Sequence, residues 1–537
     1  MTNLSNAEVA PTSDDKPEKE LHLGWALVLI SMAQLMVVLD ASIANIALPF
    51  IGADLGIADA NLTWIVTGYA LAFGGLLLLG GRLGDLYGRR RVFMIGLVVF
   101  AVASFIGGFA QNEAMLLASR GLQGLGAALA SPAALALIAT TFPAGPARNR
   151  AFAVYAAMSG AGAAVGLILG GWLTGLDPIV GLEGWRLTFL INVPIGLVAA
   201  FLAPRFLRES ESHPGQLDVP GAITGTLGLL GLVYGFSRAG EAEHGWGDPW
   251  TIASLAAGVA LLALFAVVES RVSHPLLPVR VFNNRTRATS FLVMALVPAA
   301  MFAMFYFLSL FIQLVIGYSP LKTGFAFLPF SFGIVIGAAL SSNLVNRVAP
   351  RFIAGVGTLM AAVALVGFSR LEVPTGTADL LAVANGEGFL GADVNYWTSI
   401  FPFIVLMSIG MGMTFVPLTL TAVHHLRAED SGIGSGVLNT MQQVGGALGL
   451  AILGTVSLSA ADDTKTSLVR DLTAQGIPPE GANGLAYIGS FTEGATAAFL
   501  VGAALIALGS AAIWAFLNVK SSELATDGAE GAPVHVG

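Results

Sequence analysis

Two ionisable side chains, Asp40 and Arg120, lie deep inside long apolar runs of this sequence. Leaving either one charged and unpaired in lipid costs about 3 kcal/mol on insertion scales, so each is expected to face a cavity or a partner. A carboxyl group whose surroundings change between two conformations can take up a proton in one and release it in the other. We therefore predict that Asp40 carries a proton, the alternative being a static helix-bridging Asp. Arg120 either tunes Asp40 or pins two helices together.

A short charged segment, GGRLGDLYGRRRVF at residues 80–93, separates two apolar runs. An Asp at a helix end can accept backbone N–H groups and pair with Arg. Small residues let a second helix come close. We predict that the segment forms a gate at the cytoplasmic ends of the helices, and the alternative is a plain positive anchor. The residues of this gate are Gly81, Gly84, Asp85, Gly88, Arg89 and Arg90.

Glycines in the fifth apolar run recur every four residues at Gly162, Gly166 and Gly170, with Gly171 beside them. Such a bare stripe lets another helix pack closely. We predict that the stripe contacts a helix of the other half of the molecule, either as a sliding gate or as a fixed packing surface. The thirteenth run carries a similar set, Gly445, Gly446 and Gly449.

Ten further residues are candidates for a substrate cavity. Methionine and aromatic side chains suit promiscuous binding and cation–π contact, and uncharged polar side chains can hydrogen-bond a substrate. The alternative is that most of them face lipid or neighbouring helices. The candidates are Met36, Trp64, Tyr69, Gln123, Asn192, Phe305, Tyr306, Gln313, Asn439 and Gln443.

The composition requires a membrane setting for these residues. Of 537 residues, 55% are hydrophobic and 11% are charged, which is too little charge to cover a soluble protein of this size. There is no cysteine, which excludes disulfides and thiolate metal sites. The sequence has no P-loop, metal-ligand cluster, catalytic elbow or basic–aromatic patch. We predict neither an enzyme nor a nucleic-acid-binding protein, with no metal or cofactor and with the proton gradient as its driving force.

The apolar runs predict an all-α polytopic protein with fourteen transmembrane helices, since a crossing needs about 20 apolar residues. Placing both termini in the cytoplasm puts 18 Lys and Arg residues inside and six outside, as the positive-inside rule requires. The predicted spans are 24–51, 62–83, 92–111, 114–140, 150–175, 186–206, 219–237, 250–270, 288–316, 323–345, 351–370, 397–422, 431–458 and 491–518.

Two loops suggest an internal repeat. Residues 80–93 align with SSNLVNRVAPRFI at 341–353, so that Asp85 meets Asn346 and Arg90 meets Arg351. We predict two six-helix bundles with two extra helices between them, and a substrate site at the midplane. The predicted parts are a cytoplasmic tail 1–23, bundle 24–206, insert 207–287, bundle 288–518 with outer loops 371–396 and 459–490, and a cytoplasmic tail 519–537. The loop 459–490 is either a short external hairpin or a plain solvated loop.

Several motifs together make the chain resemble the major facilitator superfamily, in its 14-helix drug/proton antiporter branch (the EmrB/QacA type). The loop motif GRLGDLYGRRR at 81–91 and the fourth-helix motif LLASRGLQGLGAAL at 116–129 are the most specific. They are accompanied by LDASIANIALP at 39–49, TWIVTGYAL at 63–71 and WRLTFLINVPIG at 185–196. The resemblance implies the major facilitator fold, a role for Arg120 in proton transfer, and a gate at Asp85 that closes the inner side. It covers residues 24–518.

Two positions depart from the pattern of that branch. Leu167 stands where the fifth-helix antiporter motif has Pro, so the kink that Pro would introduce is lost. Gln442 stands where the branch often has Arg. The first departure weakens the antiporter reading, because that motif is associated with exporters.

These patterns favour a secondary active multidrug exporter. It would exchange protons for lipophilic or cationic small molecules by alternating access, as a monomer in the inner (plasma) membrane of a bacterium. The excess of Arg over Lys suggests a bacterium with a GC-rich genome. The alternative is a dedicated exporter of one natural product or lipid. The sequence does not name the substrate.

Overall fold

The computed structural model describes residues 23–521 and 523, apart from 59–60, 144–145, 210–215, 242, 346, 375 and 425–430. Most of the two predicted tails, 1–23 and 519–537, therefore lies outside the described residues. So does Asn346, one of the residues on which the loop alignment rests.

The described chain folds into α-helices joined by short loops. Residues 279–282 form a 3₁₀ turn, residues 311–315 form a π-helical turn, and Ile179 and Leu182 form one isolated β-bridge. The helices are α1 (Leu23–Leu55), α2 (Leu62–Tyr87), α3 (Arg89–Gly108), α4 (Glu113–Thr141), α5 (Pro146–Thr174), α6 (Gly184–Leu190), α7 (Asn192–Phe206), α8 (Val219–Ala239), α9 (Pro249–Arg271), α10 (Arg285–Leu310), α11 (Pro320–Leu344), α12 (Pro350–Phe368), α13 (Thr377–Ala384), α14 (Tyr396–Ser399), α15 (Phe401–Val423), α16 (Ser431–Ala474) and α17 (Pro479–Phe516).

Thirteen helical segments of the described chain are long and apolar enough to cross a membrane, which confirms the prediction of an all-α polytopic protein. The segments α6 and α7 together make one of them, Gly184–Phe206. The predicted span 150–175 lies in α5, where Gly162–Thr174 is a shorter apolar helix. The count of fourteen spans therefore stays a prediction. We call the membrane face at which α1 begins the N-terminal face, and the other the opposite face.

Helix starts follow local sequence signals. The side chains of Asp218, Asp248 and Asn284 each accept a hydrogen bond from a backbone N–H in the first turn of α8, α9 and α10. Such N-caps satisfy backbone donors that have no partner within the helix. Between α2 and α3 the chain reverses at Gly88, whose φ of 97° is a left-handed conformation that favours glycine.

The same helix pairings occur in both halves of the chain. In the first half α1 packs on α5, α2 on α4, and α3 on α4. In the second half α10 packs on α16, α11 on α15, and α12 on α15 in the same relation. The pairs α5–α11 and α16–α2 join the halves in a reciprocal way. The halves thus have matching internal packing, although the predicted boundaries at 206 and 288 stay predictions.

The glycine stripe of α5 packs within its own half. A Cβ at Gly162, Gly166 or Gly170 would lie within 3.3 Å of atoms of α1. The glycines of α16, Gly445, Gly446 and Gly449, likewise lie against α10 of their own half, and Gly449 lies closest to Ala299. The prediction that the stripe contacts the other half is therefore wrong for these three residues. Four-residue spacing selects one helix face but not the helix that it meets.

The halves touch each other towards the opposite face. Gly171 lies against the backbone of Pro320 in α11, and Gly324 lies against the carbonyl of Leu167. The hydroxyl of Ser309 in α10 donates to the carbonyl oxygen of Asn45 in α1 at 3.1 Å. Gly171 is thus the member of the predicted stripe that meets the other half. Because α5 runs without a break from Pro146 to Thr174, Leu167 sits on a continuous helix that carries this contact.

The inserted helices α8 and α9 cover one seam between the halves. Helix α8 packs on both α2 and α16. The indole N–H of Trp64 in α2 donates to the hydroxyl of Ser237 in α8 at 3.0 Å, and the hydroxyl of Thr455 in α16 donates to the carbonyl of Phe236. Helix α9 packs on the outer side of α8, and only 11% of the residues in its most apolar stretch are buried within the protein. The insert therefore binds the first half to the second on this side, while α9 faces lipid.

The predicted outer loop 459–490 is mostly helix. Helix α16 continues to Ala474 and α17 starts at Pro479, so the two form a long helical hairpin. Leu380 of α13 and Leu468 of α16 meet at Gly489 of α17. The segment is thus a helical hairpin, longer than predicted, and its position outside the cell stays a prediction. The polar residues there mark a solvated helix surface, which a search for apolar runs cannot distinguish from a loop.

Candidate functional site

Asp40 and Arg120 form a buried ion pair between α1 and α4. The Nη1 atom of Arg120 lies 2.6 Å from Oδ2 of Asp40, and the two side chains are 1% and 3% exposed. A charge-assisted pair of this length, shielded from water, is stronger than one at a surface. Breaking it by removing one partner costs about 3–5 kcal/mol, because the other charge stays buried.

Two amide side chains complete the shell of Asp40. Gln123 and Asn192 both donate to Oδ1 of Asp40, at 3.0 Å and 2.9 Å. Gln123 also donates to the hydroxyl of Ser104 at 2.8 Å. Its oxygen accepts from Arg120 at 2.9 Å, so it joins both members of the pair. The carboxyl group thus accepts hydrogen bonds from three side chains on two helices, α4 and α7.

Arg120 is fixed from the other side by α2. Its Nε donates to the carbonyl oxygen of Ile65 at 2.8 Å. Its guanidinium carbon lies 4.5 Å from the ring centre of Tyr69 and 5.8 Å from that of Phe189. A guanidinium can stack on aromatic faces and donate in a fixed fork at the same time, which a lysine cannot do.

Close helix packing makes this geometry possible. A Cβ at Gly124 of α4 would lie 2.6 Å from the carbonyl oxygen of Tyr69, and one at Gly80 of α2 would lie 2.0 Å from that of Ala128. The two backbones therefore approach more closely than side chains would allow. Gly124 belongs to the fourth-helix motif, so the sequence carried a signal for it. Gly80 was missed because the prediction placed the important glycines in the turn.

The arrangement can exchange a proton only with a rearrangement. All three groups around Asp40 are donors, and a protonated carboxyl needs an acceptor. The Oδ1 atom of Asn192 is buried and has no hydrogen-bond partner. A flip of the Asn192 amide would present this oxygen as an acceptor to a protonated Asp40.

The predicted cytoplasmic gate residues sit at the N-terminal face. Asp85 pairs with Arg89 at 3.1 Å, four residues further along the chain. Arg90 pairs instead with Glu209, which lies beyond α7: its backbone N–H donates at 3.0 Å and its Nε lies 3.5 Å away. The sequence analysis missed Glu209, since no motif marks a single acid after an apolar run.

One glycine of this turn is required by the geometry. A Cβ at Gly88 would lie 2.6 Å from the Glu209 carboxylate, in addition to the positive φ. At Gly81 and Gly84 a Cβ would make contacts of 3.7 Å and 3.8 Å, which are ordinary. The prediction that all three allow a close approach is therefore wrong for Gly81 and Gly84 in this conformation.

Within the described part of the chain, the ten predicted cavity residues are spread over several parts of the structure. Tyr69, Gln123 and Asn192 belong to the Asp40 site, and Met36 is buried in the first half with its sulfur 3.4 Å from the Cβ position of Gly196. The remaining six lie at the seam, in the core of the second half or on their own helices. Trp64 hydrogen-bonds to Ser237 of α8, and Gln443 packs against Gly74. Phe305 stacks with Phe327, and Tyr306 is buried. The side-chain amides of Gln313 and Asn439 donate to backbone carbonyl oxygens four residues earlier in the chain. Residue type alone cannot separate cavity walls from core in a chain this apolar.

Tyr306 contributes to a recess of about 680 Å³ that opens at the opposite face. The recess lies between the start of α2, the α8–α9 loop, α10, α16 and α17. Its size is that of a small-molecule site. Aromatic and charged side chains line it, including Tyr306, Phe491, Glu241, Glu243, Asp462 and Lys465.

The comparisons with known proteins agree with this architecture. The model of the Major Facilitator Superfamily matches residues 30–450. The puromycin resistance protein pur8 of Streptomyces alboniger is 40% identical over 93% of this chain and 92% of its own length. The cephamycin export protein CmcT of Amycolatopsis lactamdurans is 39% identical over 82% and 87%.

Solved structures show the same fold. A bacterial homologue of the human lysosomal transporter Spinster, in an inward-facing and unoccupied conformation, matches with a TM-score of 0.63. The match covers 94% of this chain and 98% of that one at 16% identity. At that identity the likeness concerns the fold alone.

Proposed function

This chain belongs to the major facilitator superfamily, and from that premise we propose that it is a secondary active exporter of the drug/proton antiporter branch. It exchanges protons for lipophilic or cationic small molecules in the inner membrane of a bacterium, as a monomer with both termini in the cytoplasm. The buried Asp40–Arg120 pair carries the proposal, since charged residues at membrane depth are costly and mark ion or proton pathways. The relatives named for resistance and export support the direction of transport.

The mechanism alternates between two states of Asp40. In the first state Asp40 is ionised and accepts hydrogen bonds from Arg120, Gln123 and Asn192, the arrangement seen in the structure being the support for this state. Protonation from the opposite face neutralises Asp40, weakens its hold on Arg120 and lets α1 and α4 shift relative to each other. Asn192 turns its oxygen towards the new O–H. Release of the proton at the N-terminal face restores the pair and resets the transporter.

Substrate moves between the halves in the opposite direction. The recess at the opposite face gives a release site with an aromatic wall and three carboxylates against one lysine at its rim. Such a lining favours amphipathic cations. The membrane potential adds about 2.3 kcal/mol per charge per 100 mV to the proton movement that drives export.

Proton movement in everted vesicles tests the proposal. Vesicles with wild-type protein, energised so that their interior is acidic, should release protons when an ethidium-like cation is added. Asp40→Asn should abolish that release, whereas Asp177→Asn, at an exposed acid after α5, should keep it. If Asp40→Asn transports and releases protons as the wild type does, Asp40 is not the proton carrier.

A dedicated exporter of one natural product is the second candidate. Both relatives described above are named for a single antibiotic or antibiotic class, puromycin and cephamycin. The same vesicles distinguish the candidates when puromycin, a cephamycin and several unrelated cations are compared. Proton release by one compound alone favours the dedicated exporter, and release by many favours the multidrug exporter.

A further inference from the structure

A second pair of ionisable groups lies far along the chain from Asp40, at the base of the inserted α8–α9 hairpin. Asp218 caps the start of α8, and Glu269 lies in the last turn of α9, both at the N-terminal face. Their side chains are 4% and 5% exposed. The proposed transport cycle uses neither of them.

Each carboxyl group has one oxygen with a donor and one without. Oδ1 of Asp218 accepts from the backbone N–H of Gly221 at 2.8 Å, and Oε2 of Glu269 accepts from that of Leu277 at 2.8 Å. The other two oxygens, Oδ2 of Asp218 and Oε1 of Glu269, are buried without a partner. Both carboxyl groups are therefore held in place by backbone donors and left half satisfied.

The two unsatisfied oxygens both lie beside Gly221. If Gly221 carried a Cβ atom, that atom would lie within 2.8 Å of both oxygens, Oδ2 of Asp218 and Oε1 of Glu269. The two oxygens are therefore close neighbours. The two side chains are within hydrogen-bonding reach of each other. Two ionised carboxylates are disfavoured in so small a buried space, because like charges repel and burial penalises the charged forms. One proton between these oxygens satisfies both.

We infer that Asp218 and Glu269 form a proton-binding site that holds one shared proton between their unsatisfied oxygens. The proton resides on Glu269 and is donated to Asp218. Asp218 keeps its negative charge because it sits at the N-terminus of α8, where the helix dipole and backbone N–H groups stabilise an anion. Glu269 sits at the C-terminus of α9, where the dipole disfavours a negative charge.

Among the described residues, Asp218 is the ionisable group that acts electrostatically on Glu269. Arg271 and His274, which follow Glu269 on α9 and its loop, are exposed. The shared proton therefore joins the start of α8 to the end of α9. Because α8 binds the seam between α2 and α16, the pH at the N-terminal face sets how firmly the insert closes that seam.

Infrared spectroscopy of the full chain tests the proton directly. In an Asp40→Asn background at about pH 6, where an ordinary Glu carboxyl is ionised, the spectrum should contain the C=O band of a protonated carboxyl, which a carboxylate lacks. Glu269→Gln should remove it, and Glu480→Gln, at an exposed acid in the first turn of α17, should keep it. Asp218→Asn keeps a capping oxygen and should also remove it, which provides a second variant if the first fails to fold.

Thermal stability provides an independent measurement. Carboxyl groups exposed by unfolding lose their protons above about pH 5, whereas the folded protein keeps the shared proton to a higher pH. The free energy of unfolding therefore falls as the pH rises from about 5, and it levels off once the folded protein has also released the shared proton. Glu269→Gln keeps an N–H donor for Asp218 and should lose this slope. An unchanged band and an unchanged slope in Glu269→Gln would overturn the proposal. A missing band together with stabilisation by Na⁺ or K⁺ would replace the proton with a metal cation and also overturn it.

Discussion

At the scale of single residues, the ion pair of Asp40 and Arg120 differs from a surface pair because protein groups, and not solvent, supply its further hydrogen bonds. Arg120 uses separate nitrogens for α2 and α1, donating to the carbonyl of Ile65 and to Asp40. Asp40 in turn collects donors from α4 and α7. Such a network holds four helices in one relative position as long as the charge persists. Protonation is therefore a change of helix packing as well as of charge.

Arg120→Lys should uncouple transport while leaving the net charge unchanged. An ammonium cannot reach the carbonyl of Ile65 and the carboxylate of Asp40 with the same geometry, and a lost hydrogen bond to a charged group costs about 1.5–3 kcal/mol. We expect the proton release caused by a cationic substrate in everted vesicles to fall to near background. Arg271→Lys, at an exposed cation, is the control. Full coupling in Arg120→Lys would mean that charge alone is needed at this position.

Asp248, at the opposite face, makes a pH-dependent contribution to the stability of the folded protein. The hydrogen bond from the Arg238 side chain, 2.8 Å away, lowers the pKa of Asp248 from its ordinary value near 4 to about 2. A depressed pKa means that the pair stabilises the folded state above about pH 4 and that this contribution is lost as the pH falls through about 2. Asp248→Asn, which keeps the helix cap, should flatten the acid limb of a stability–pH curve. The same limb in the variant and the wild type would contradict this.

At the scale of helices, small residues decide which backbones meet. Gly121 and Gly124 both lie on α4, three residues apart. A Cβ at Gly124 would lie 2.6 Å from the backbone of α2, whereas at Gly121 nothing lies within 4 Å. Glycine is therefore needed at one position and dispensable at the other, although both belong to the same sequence motif.

Gly124→Ala should destabilise the protein and Gly121→Ala should not. Forcing a methyl group into a packed contact costs about 1–3 kcal/mol. At an open helical position alanine instead gains about 0.5–1 kcal/mol over glycine. Thermal unfolding in detergent should therefore show a lower midpoint for Gly124→Ala and an equal or higher one for Gly121→Ala. Equal midpoints for both variants would show that α4 can move away from α2 at little cost.

At the scale of the whole molecule, the sequence predicted the spans well and the site only in part. Apolar runs identify helices because lipid demands them, and Asp40 and Arg120 stood out because few charges lie in such runs. The roles of Gln123 and Asn192 could not be predicted. An amide in a span faces a cavity or another helix according to tertiary packing, which one sequence does not record. The extended hairpin α16–α17 was underestimated for a different reason, since its solvated half has no apolar run.

Cross-linking the halves at the opposite face should arrest transport. The chain contains no cysteine, so an introduced pair is the only one present. Thr63 of α2 and Gly454 of α16 both line the recess, and a Cβ at 454 would lie 3.5 Å from the methyl group of Thr63. Thr63→Cys with Gly454→Cys should lose activity on oxidation and regain it on reduction, because alternating access separates the halves there.

A cross-link within one half is the matched control. A Cβ at Gly162 would lie 3.3 Å from Cβ of Val38, and both positions belong to the α1–α5 pair of the first half. Val38→Cys with Gly162→Cys should form a disulfide without blocking transport, since that pair moves as a unit. Activity that survives a complete link between positions 63 and 454 would show that the seam α2–α16 does not open.

The long hairpin of α16 and α17 has a practical consequence for imaging. At 44 residues, α16 is about 66 Å long, more than twice the roughly 30 Å hydrocarbon layer. Its distal part packs against α13. Antibody fragments raised against that extended hairpin would give single-particle micrographs a landmark for aligning the protein.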